Sequence, residues 1–368
     1  MKATRQLHEL GQSLWLDNIT RGILNDGTLL AYLDEMSVTG LTSNPTIFEH
    51  ALEKGDFYDE AIRQKAGEGK SGEALFLELA VEDLVRAADV FSAVHDRTGG
   101  VDGWVSLEVS PLLANDTVAT IRAAAELHGR AERPNLFIKI PGTPAGLPAI
   151  EESIFAGVPV NVTLLFSPAH YIAAAEAYMR GIERRIAAGL DPKVDSVASL
   201  FVSRWDVAVH DTVPPELRNR LGIAISQRTY REYRRLLASP RWLSLVAAGA
   251  RPQRLLWAST GTKDPDASDT LYVEALAAPD TVDTMPEKTL KAFADHGHVG
   301  HVLAVDGDDA DAVLADFTRV GVDDAVLAAR LQREGTASFA ESWKGLLERL
   351  AAKRAALKHE GRATVARS

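Results

Sequence analysis

Residues 135–141 read Asn-Leu-Phe-Ile-Lys-Ile-Pro, and residues 158–166 read Val-Pro-Val-Asn-Val-Thr-Leu-Leu-Phe. Both are short, almost continuously apolar or β-branched runs, the pattern of strands buried on both faces. Working outward from this pair, similar runs recur at Ser13–Asp17, Val38–Asn44, Trp104–Val109, Val197–Arg204, Arg254–Thr260 and Thr281–Pro286. Segments of helical periodicity lie between them, at Glu73–His95, Asp116–Gly129, Pro168–Ala188, Gln227–Leu237 and Pro286–Asp295. Strands alternating with helices imply a parallel sheet covered by helices, and eight such units predict a closed (β/α)8 TIM barrel. Two regions exceed the minimal barrel. Residues 48–100 read as a helical insertion of two or three helices. Residues 296–368 read as a C-terminal helical appendage packed on a barrel domain formed by residues 1–295. Within the appendage the pattern predicts a strand at Val299–Val305, helices at Asp308–Arg319, Asp323–Glu334 and Ser338–Leu357, and a frayed polar tail at Lys358–Ser368.

The chain has 368 residues and a formal net charge of −11, from 40 basic and 51 acidic side chains. That balance argues against a nucleic-acid binder, whose affinity comes from Lys and Arg displacing phosphate counterions. There is no cysteine, which removes thiol nucleophiles, disulfides, iron–sulfur clusters and Cys-ligated zinc. No stretch approaches the roughly 20 uncharged apolar residues that span a bilayer, and Met1–Leu16 lacks the pattern of a signal peptide, so a cytoplasmic protein without membrane contact is expected. His296, His298 and His301 lie beyond the last barrel strand with no accompanying carboxylate set, so no metal site is expected there. Gly69-Lys70-Ser71 resembles the end of a P-loop, but Gln64 stands where the loop needs glycine and no strand precedes it.

A barrel of this kind carries its chemistry at the C-terminal ends of its strands. The ionisable or polar residues that end or interrupt the apolar runs are Asp17, Asn44, Glu108, Lys139, Asn161, Thr163 and Arg204. Asn161 and Thr163, two apart, project to one face. In 135–141, Phe137 and Lys139 alternate with Leu136 and Ile138, so if one set is wall and the other interior, the ammonium points inward. A lysine enclosed that way is costly to keep charged, and the free amine is the form that attacks a carbonyl to make a Schiff base. The other reading is a lysine paired with an interior carboxylate such as Asp17 or Glu108. Imine chemistry needs one group that moves protons during dehydration and another that takes the proton when a carbon–carbon bond breaks, and these two carboxylates could supply both. Asp17 could instead cap the following turn.

At these residues the sequence resembles the transaldolases. Thr42-Ser43-Asn44-Pro45 is similar to the family's TSNP segment, Val105–Val109 to its glutamate strand, and Ile138-Lys139-Ile140-Pro141 to its Schiff-base strand. Asn161–Ser167 resembles the NxTLxFS signature, and Ser199–Arg204 the segment that contributes a phosphate-binding serine and arginine. Each motif alone is weak; five in the family's order are specific. The resemblance implies transfer of a dihydroxyacetone unit between sugar phosphates, for instance from sedoheptulose 7-phosphate to glyceraldehyde 3-phosphate, with no metal or organic cofactor. It also implies roles. Lys139 would form the imine, and Glu108 would act as acid and base through a water held by Thr163. Asp17 would take the donor hydroxyl proton, while Thr42, Asn44, Asn161 and Ser199 would hold the dihydroxyacetone portion. Arg204 and Ser259 would bind phosphate. The shorter form of the family has an arginine within two residues after this serine; here the chain reads Ser259-Thr260-Gly261-Thr262-Lys263, which makes Lys263 the candidate second cation. Two other readings remain open: an imine-forming aldolase that releases its product, and a barrel retained only to bind sugar phosphates. The sequence leaves monomer and homodimer equally open.

Overall fold

The computed structural model describes residues 2–53 and 55–365. Eight parallel strands close into a barrel in chain order: β1 (Ser13–Asp17), β2 (Val38–Thr42), β3 (Trp104–Glu108), β4 (Leu136–Pro141), β5 (Val160–Leu165), β6 (Ser196–Phe201), β7 (Gln253–Ala258) and β8 (Thr281–Met285), with β8 pairing back onto β1. The eight expected strands are all present, each within a few residues of its predicted ends. The insertion after β2 forms three helices, Pro45–Glu53, Asp59–Gly67 and Gly72–Arg97. Among the described residues no helix is long and apolar enough to cross a membrane.

Strict alternation along the strands sorts the apolar side chains into two bodies. Leu14, Leu16, Val105, Leu107, Leu136, Ile138, Val160 and Val162 face out and pack under the helices. Trp15, Trp104, Phe137, Val197, Leu256 and Val282 face in. The inward aromatics fill the lower barrel, where Trp104 and Phe137 stack with ring centroids 4.0 Å apart and Trp15 Nε1 donates to Asp102 Oδ1 at 2.9 Å. This plug leaves the polar inward residues at the upper end, where the strands finish.

Three expectations for the C-terminal region are corrected. Residues 299–305 form no strand; they run as coil, with Leu303 buried and its N–H donating to the Ala277 carbonyl at 2.9 Å. The physical reason is closure: a complete barrel offers no strand edge for a ninth member. The two helices expected at 323–334 and 338–357 are one helix, Asp324–Val365, which passes unbroken through Gly335. That glycine marks a close approach instead of a stop, since a Cβ there would lie 3.0 Å from both Leu164 Cδ2 and Arg204 Nη1. The helix also continues to Val365, into the segment expected to fray, while residues 366–368 of that tail lie outside the described residues. Along its length it packs on the helices Pro45–Glu53, Asp59–Gly67 and Gly72–Arg97, and on β5.

On the outer face of β8, Asp283 is fully buried; its Oδ1 accepts from Thr260 Oγ1 at 2.8 Å and its Oδ2 has no partner. Burial pushes its pKa up to about 7. Between the ordinary aspartate value and 7 the unfolded chain ionises this group while the native chain keeps the proton, so its effect on stability becomes less favourable as pH rises through that window. Asp283→Asn should therefore gain on the parent between pH 5 and pH 8 in urea denaturation, by about 1.4 kcal/mol per unit of pH at most. A difference that does not change with pH would contradict this account.

Candidate active site

The alternation that sends Leu136 and Ile138 outward turns Lys139 into the barrel, where it is 5 % exposed. Glu108 is its register partner on β3 and is 3 % exposed. Lys139 Nζ lies 3.4 Å from Glu108 Oε2 and donates to the Ser43 carbonyl at 2.9 Å. The lysine is thus both inward-pointing and paired, and the carboxylate it pairs with is Glu108. Burial raises the Glu108 pKa above its ordinary value, and the Lys139 charge opposes that rise. Both Glu108 oxygens are buried without a hydrogen-bond partner in the protein, and so is Thr163 Oγ1. Buried polar atoms are rarely left unused, so these three present bonding capacity to whatever enters the site.

Asp17, at the end of β1, does not cap the next turn; Thr20 does that, accepting from the Ile23 N–H at 3.2 Å. Asp17 Oδ1 accepts instead from Thr42 Oγ1 at 2.8 Å, and Thr42 in turn shares a 2.6 Å hydrogen bond with Thr284. Its pKa is raised by burial, with Lys139, the Thr42 hydroxyl and Lys263 pulling it back. Asn44 caps the helix Pro45–Glu53, its Oδ1 accepting from the Ile47 N–H at 3.0 Å, which leaves its amide N–H groups for the cavity. One layer lower, Ser199 Oγ donates to Asn161 Oδ1 at 2.7 Å, and Asn161 Nδ2 donates to Ser106 Oγ at 3.2 Å.

At the mouth, the Arg204 guanidinium sits 5.1 Å from the Phe201 ring and 5.6 Å from the Phe339 ring, the latter contributed by the helix Asp324–Val365. Burial lowers its pKa from the usual arginine value, but a guanidinium keeps its charge in any case. Ser259 shares a 2.9 Å hydrogen bond with Ser203 and has a left-handed backbone, φ 59°. Lys263 pairs with neither Asp264 nor Asp266: Asp264 accepts from Asn219 Nδ2 at 2.6 Å and faces His210 at 3.5 Å. Among the described residues no carboxylate forms an ion pair with Arg204 or Lys263, so both charges are left for a ligand.

Asp17, Thr42, Asn44, Lys139, Thr163, Ser199, Arg204, Ser259 and Lys263 line one cavity of about 390 Å³, with Glu108 and Asn161 buried beside and beneath it. An amine, two carboxyl groups of raised proton affinity and a cationic rim suit covalent carbonyl chemistry on an anionic polyol. The cavity also takes in residues that the strand ends did not point to. Thr284 lies two residues after the inward-facing Val282 and shares its face, so it is legible from that spacing. Phe201, two residues after Ser199 and four after Val197 on β6, is legible in the same way, whereas His50 and Phe339 carry no such signal. A second feature also escaped the sequence: β5 slips register against β6 between Val162 and Leu165, and Leu164 adopts a left-handed φ of 59°. For a residue with a Cβ this costs about 1–2 kcal/mol.

The buried pair can be tested by stability. Lys139→Met leaves Glu108 without its nearest cation, which should destabilise the fold at pH 8 by about 3 kcal/mol. With the folded-state pKa of Glu108 pushed further up, the loss should shrink as pH falls to 5 and the carboxyl takes a proton. Lys139→Met/Glu108→Gln should recover most of the loss at pH 8 in urea denaturation; a double variant as unstable as the single would contradict the pairing.

The family model for Transaldolase/Fructose-6-phosphate aldolase matches residues 14–350, which covers the barrel and most of the long C-terminal helix. A transaldolase of Parafrankia sp. is 45% identical over 357 residues, covering 94% of this chain and 96% of the relative. One from Thiobacillus denitrificans is 42% identical over 95% of this chain and 100% of its own length, and one from Thermobifida fusca is 44% identical over 96% and 98%. With matches of this extent spanning every strand that contributes to the cavity, the chain belongs to the Transaldolase/Fructose-6-phosphate aldolase family, as a transferase of the transaldolase type.

Proposed function

We propose that this protein transfers a dihydroxyacetone unit from sedoheptulose 7-phosphate or fructose 6-phosphate to glyceraldehyde 3-phosphate or erythrose 4-phosphate through an imine on Lys139. The observation that carries the reading is the Lys139–Glu108 pair at 3.4 Å with an unpartnered Thr163 hydroxyl in the same buried pocket. Glu108 faces the amine at 3.4 Å, within reach to relay protons between it and the substrate. The free amine attacks C2 of the ketose. A water held between Thr163 and Glu108 carries a proton to the departing C2 hydroxyl, which leaves as water and forms the iminium.

Asp17 then takes the C4 hydroxyl proton while the C3–C4 bond breaks. The bonding electrons move into the iminium to give an enamine, and the shortened aldose phosphate departs. Reversal of the same steps on the acceptor aldehyde builds the new ketose, and hydrolysis frees Lys139. The lysine provides the electron sink, so no step calls for a metal ion. Asn44, Asn161, Ser199 and Thr42 would hold the dihydroxyacetone hydroxyls. Arg204, Ser259 and Lys263 would hold the phosphate, for a dianion takes more than one cationic donor.

Three measurements test this reading. Erythrose 4-phosphate and fructose 6-phosphate should be interconverted with glyceraldehyde 3-phosphate and sedoheptulose 7-phosphate by the parent and not by Lys139→Met; transfer surviving in that variant would refute the lysine's role. With fructose 6-phosphate alone, free dihydroxyacetone should not accumulate; its accumulation would favour the product-releasing aldolase. Lys263→Ala should raise KM for phosphorylated sugars about tenfold, the loss of one charge-assisted contact, by a margin that shrinks with added salt. It should leave reaction with free dihydroxyacetone unchanged, and equal impairment of both substrates would return Lys263 to the surface.

A further inference from the structure

The strained backbone in β5 is held from outside the barrel. Where the β5–β6 register slips, the left-handed Leu164 turns its carbonyl out of the ladder, and that carbonyl is taken up by Gln332 of the helix Asp324–Val365. Gln332 is buried; its Nε2 donates to the Leu164 carbonyl at 3.0 Å and to the Gly142 carbonyl at 3.1 Å. The Gly142 N–H donates to the Thr163 carbonyl at 2.8 Å, so one side chain joins the ends of β4 and β5 on either side of Thr163. Gly335, one turn along the same helix face, lets the helix come this close: a Cβ there would press on Leu164 Cδ2 at 3.0 Å. A bulge re-aims the side chains around it. Here it lets Thr163 keep its inward direction while Leu164 turns toward the mouth, where it joins the interior apolar cluster instead of the outer shell.

We propose that Gln332 is a positioning residue for the reaction: by anchoring the Leu164 and Gly142 carbonyls it holds the Thr163 hydroxyl toward the Lys139–Glu108 pair. This rests on the reading that Thr163 serves imine formation. The long C-terminal helix is then part of the catalytic apparatus through a contact that reaches no substrate. A left-handed leucine with an unanchored carbonyl would relax toward the ordinary strand conformation, and the Thr163 hydroxyl, four bonds from the Leu164 nitrogen, would rotate with it.

The test is a double-mutant cycle on the rate of borohydride-trapped imine formation with fructose 6-phosphate, using the full chain. Gln332→Met removes both donors at nearly constant volume and should slow trapping about tenfold or more, the scale of a small misplacement of a reacting group. The half-saturating concentration should stay within about twofold, because no contact to substrate is lost. In a Thr163→Ala background the same substitution should have no further effect, whereas in Thr163→Ser, which keeps a hydroxyl, it should slow trapping again. Gln332→Asn, one methylene too short to reach both carbonyls, serves if the methionine variant does not fold and should follow the same pattern. Equal slowing with and without the Thr163 hydroxyl, or no slowing, would overturn the positioning role while leaving Thr163 in place. Normal trapping in Thr163→Ala alone would instead remove the role of Thr163, and the proposal with it.

Discussion

A lysine and a glutamate, each almost completely enclosed, face one another at 3.4 Å inside a closed barrel. Such a pair is expensive to bury, and replacing it by apolar side chains usually does not cost stability. Its presence therefore asks for a reason outside the folding balance. The barrel around it is arranged to make the pair both dry and reachable. Trp15, Trp104 and Phe137 seal the lower end, the strand alternation brings Lys139 and Glu108 to the next inward level, and Asp17 on β1 and Thr163 on β5 line the same cavity from opposite sides of the barrel. The carboxyl groups feel that dryness as raised proton affinity, opposed by the charge of Lys139.

Charge is distributed along the axis of the cavity. The carboxyl groups lie deep, and Arg204 and Lys263 lie at the rim without carboxylate partners among the described residues. Under the proposed function, a substrate with a phosphate at one end and a carbonyl near the other would be oriented before any covalent step, its anion drawn to the rim and its ketone to the amine. The aromatic rings of Phe201 and Phe339 flank the guanidinium of Arg204, which limits where that charge can move. One of those rings belongs to a helix that starts more than thirty residues after the last barrel strand ends. The rim of the site is thus completed by the C-terminal region, and the same helix reaches β5 through Gln332.

The barrel was readable from the chain because its signal is local and repeated. Each strand is a short apolar run, and the polar interruptions at Asp17, Glu108, Lys139 and Thr163 fall on the inward face by simple alternation. What could not be read depends on long-range geometry. The run at 299–305 has the composition of a strand, but strand composition does not reveal that no edge remains to receive it. Gly335 looks like a helix stop in one dimension, and only the packing against Leu164 and Arg204 shows why a side chain is excluded there. Likewise the left-handed conformation of Leu164 has no sequence signature, since leucine is among the residues that avoid it. Sequence alone leaves two carboxylates as partners for Lys139, and the strand register selects Glu108.

The proposed mechanism requires one particular nitrogen, Lys139 Nζ, to become covalently bound to the substrate. Fructose 6-phosphate should be reduced onto the protein with sodium borohydride, and the modified chain digested and mapped by mass spectrometry. A single adduct on the peptide containing Lys139 is the predicted result. An adduct on Lys263 or any other lysine, or retention of full activity after reduction in the presence of substrate, would contradict it.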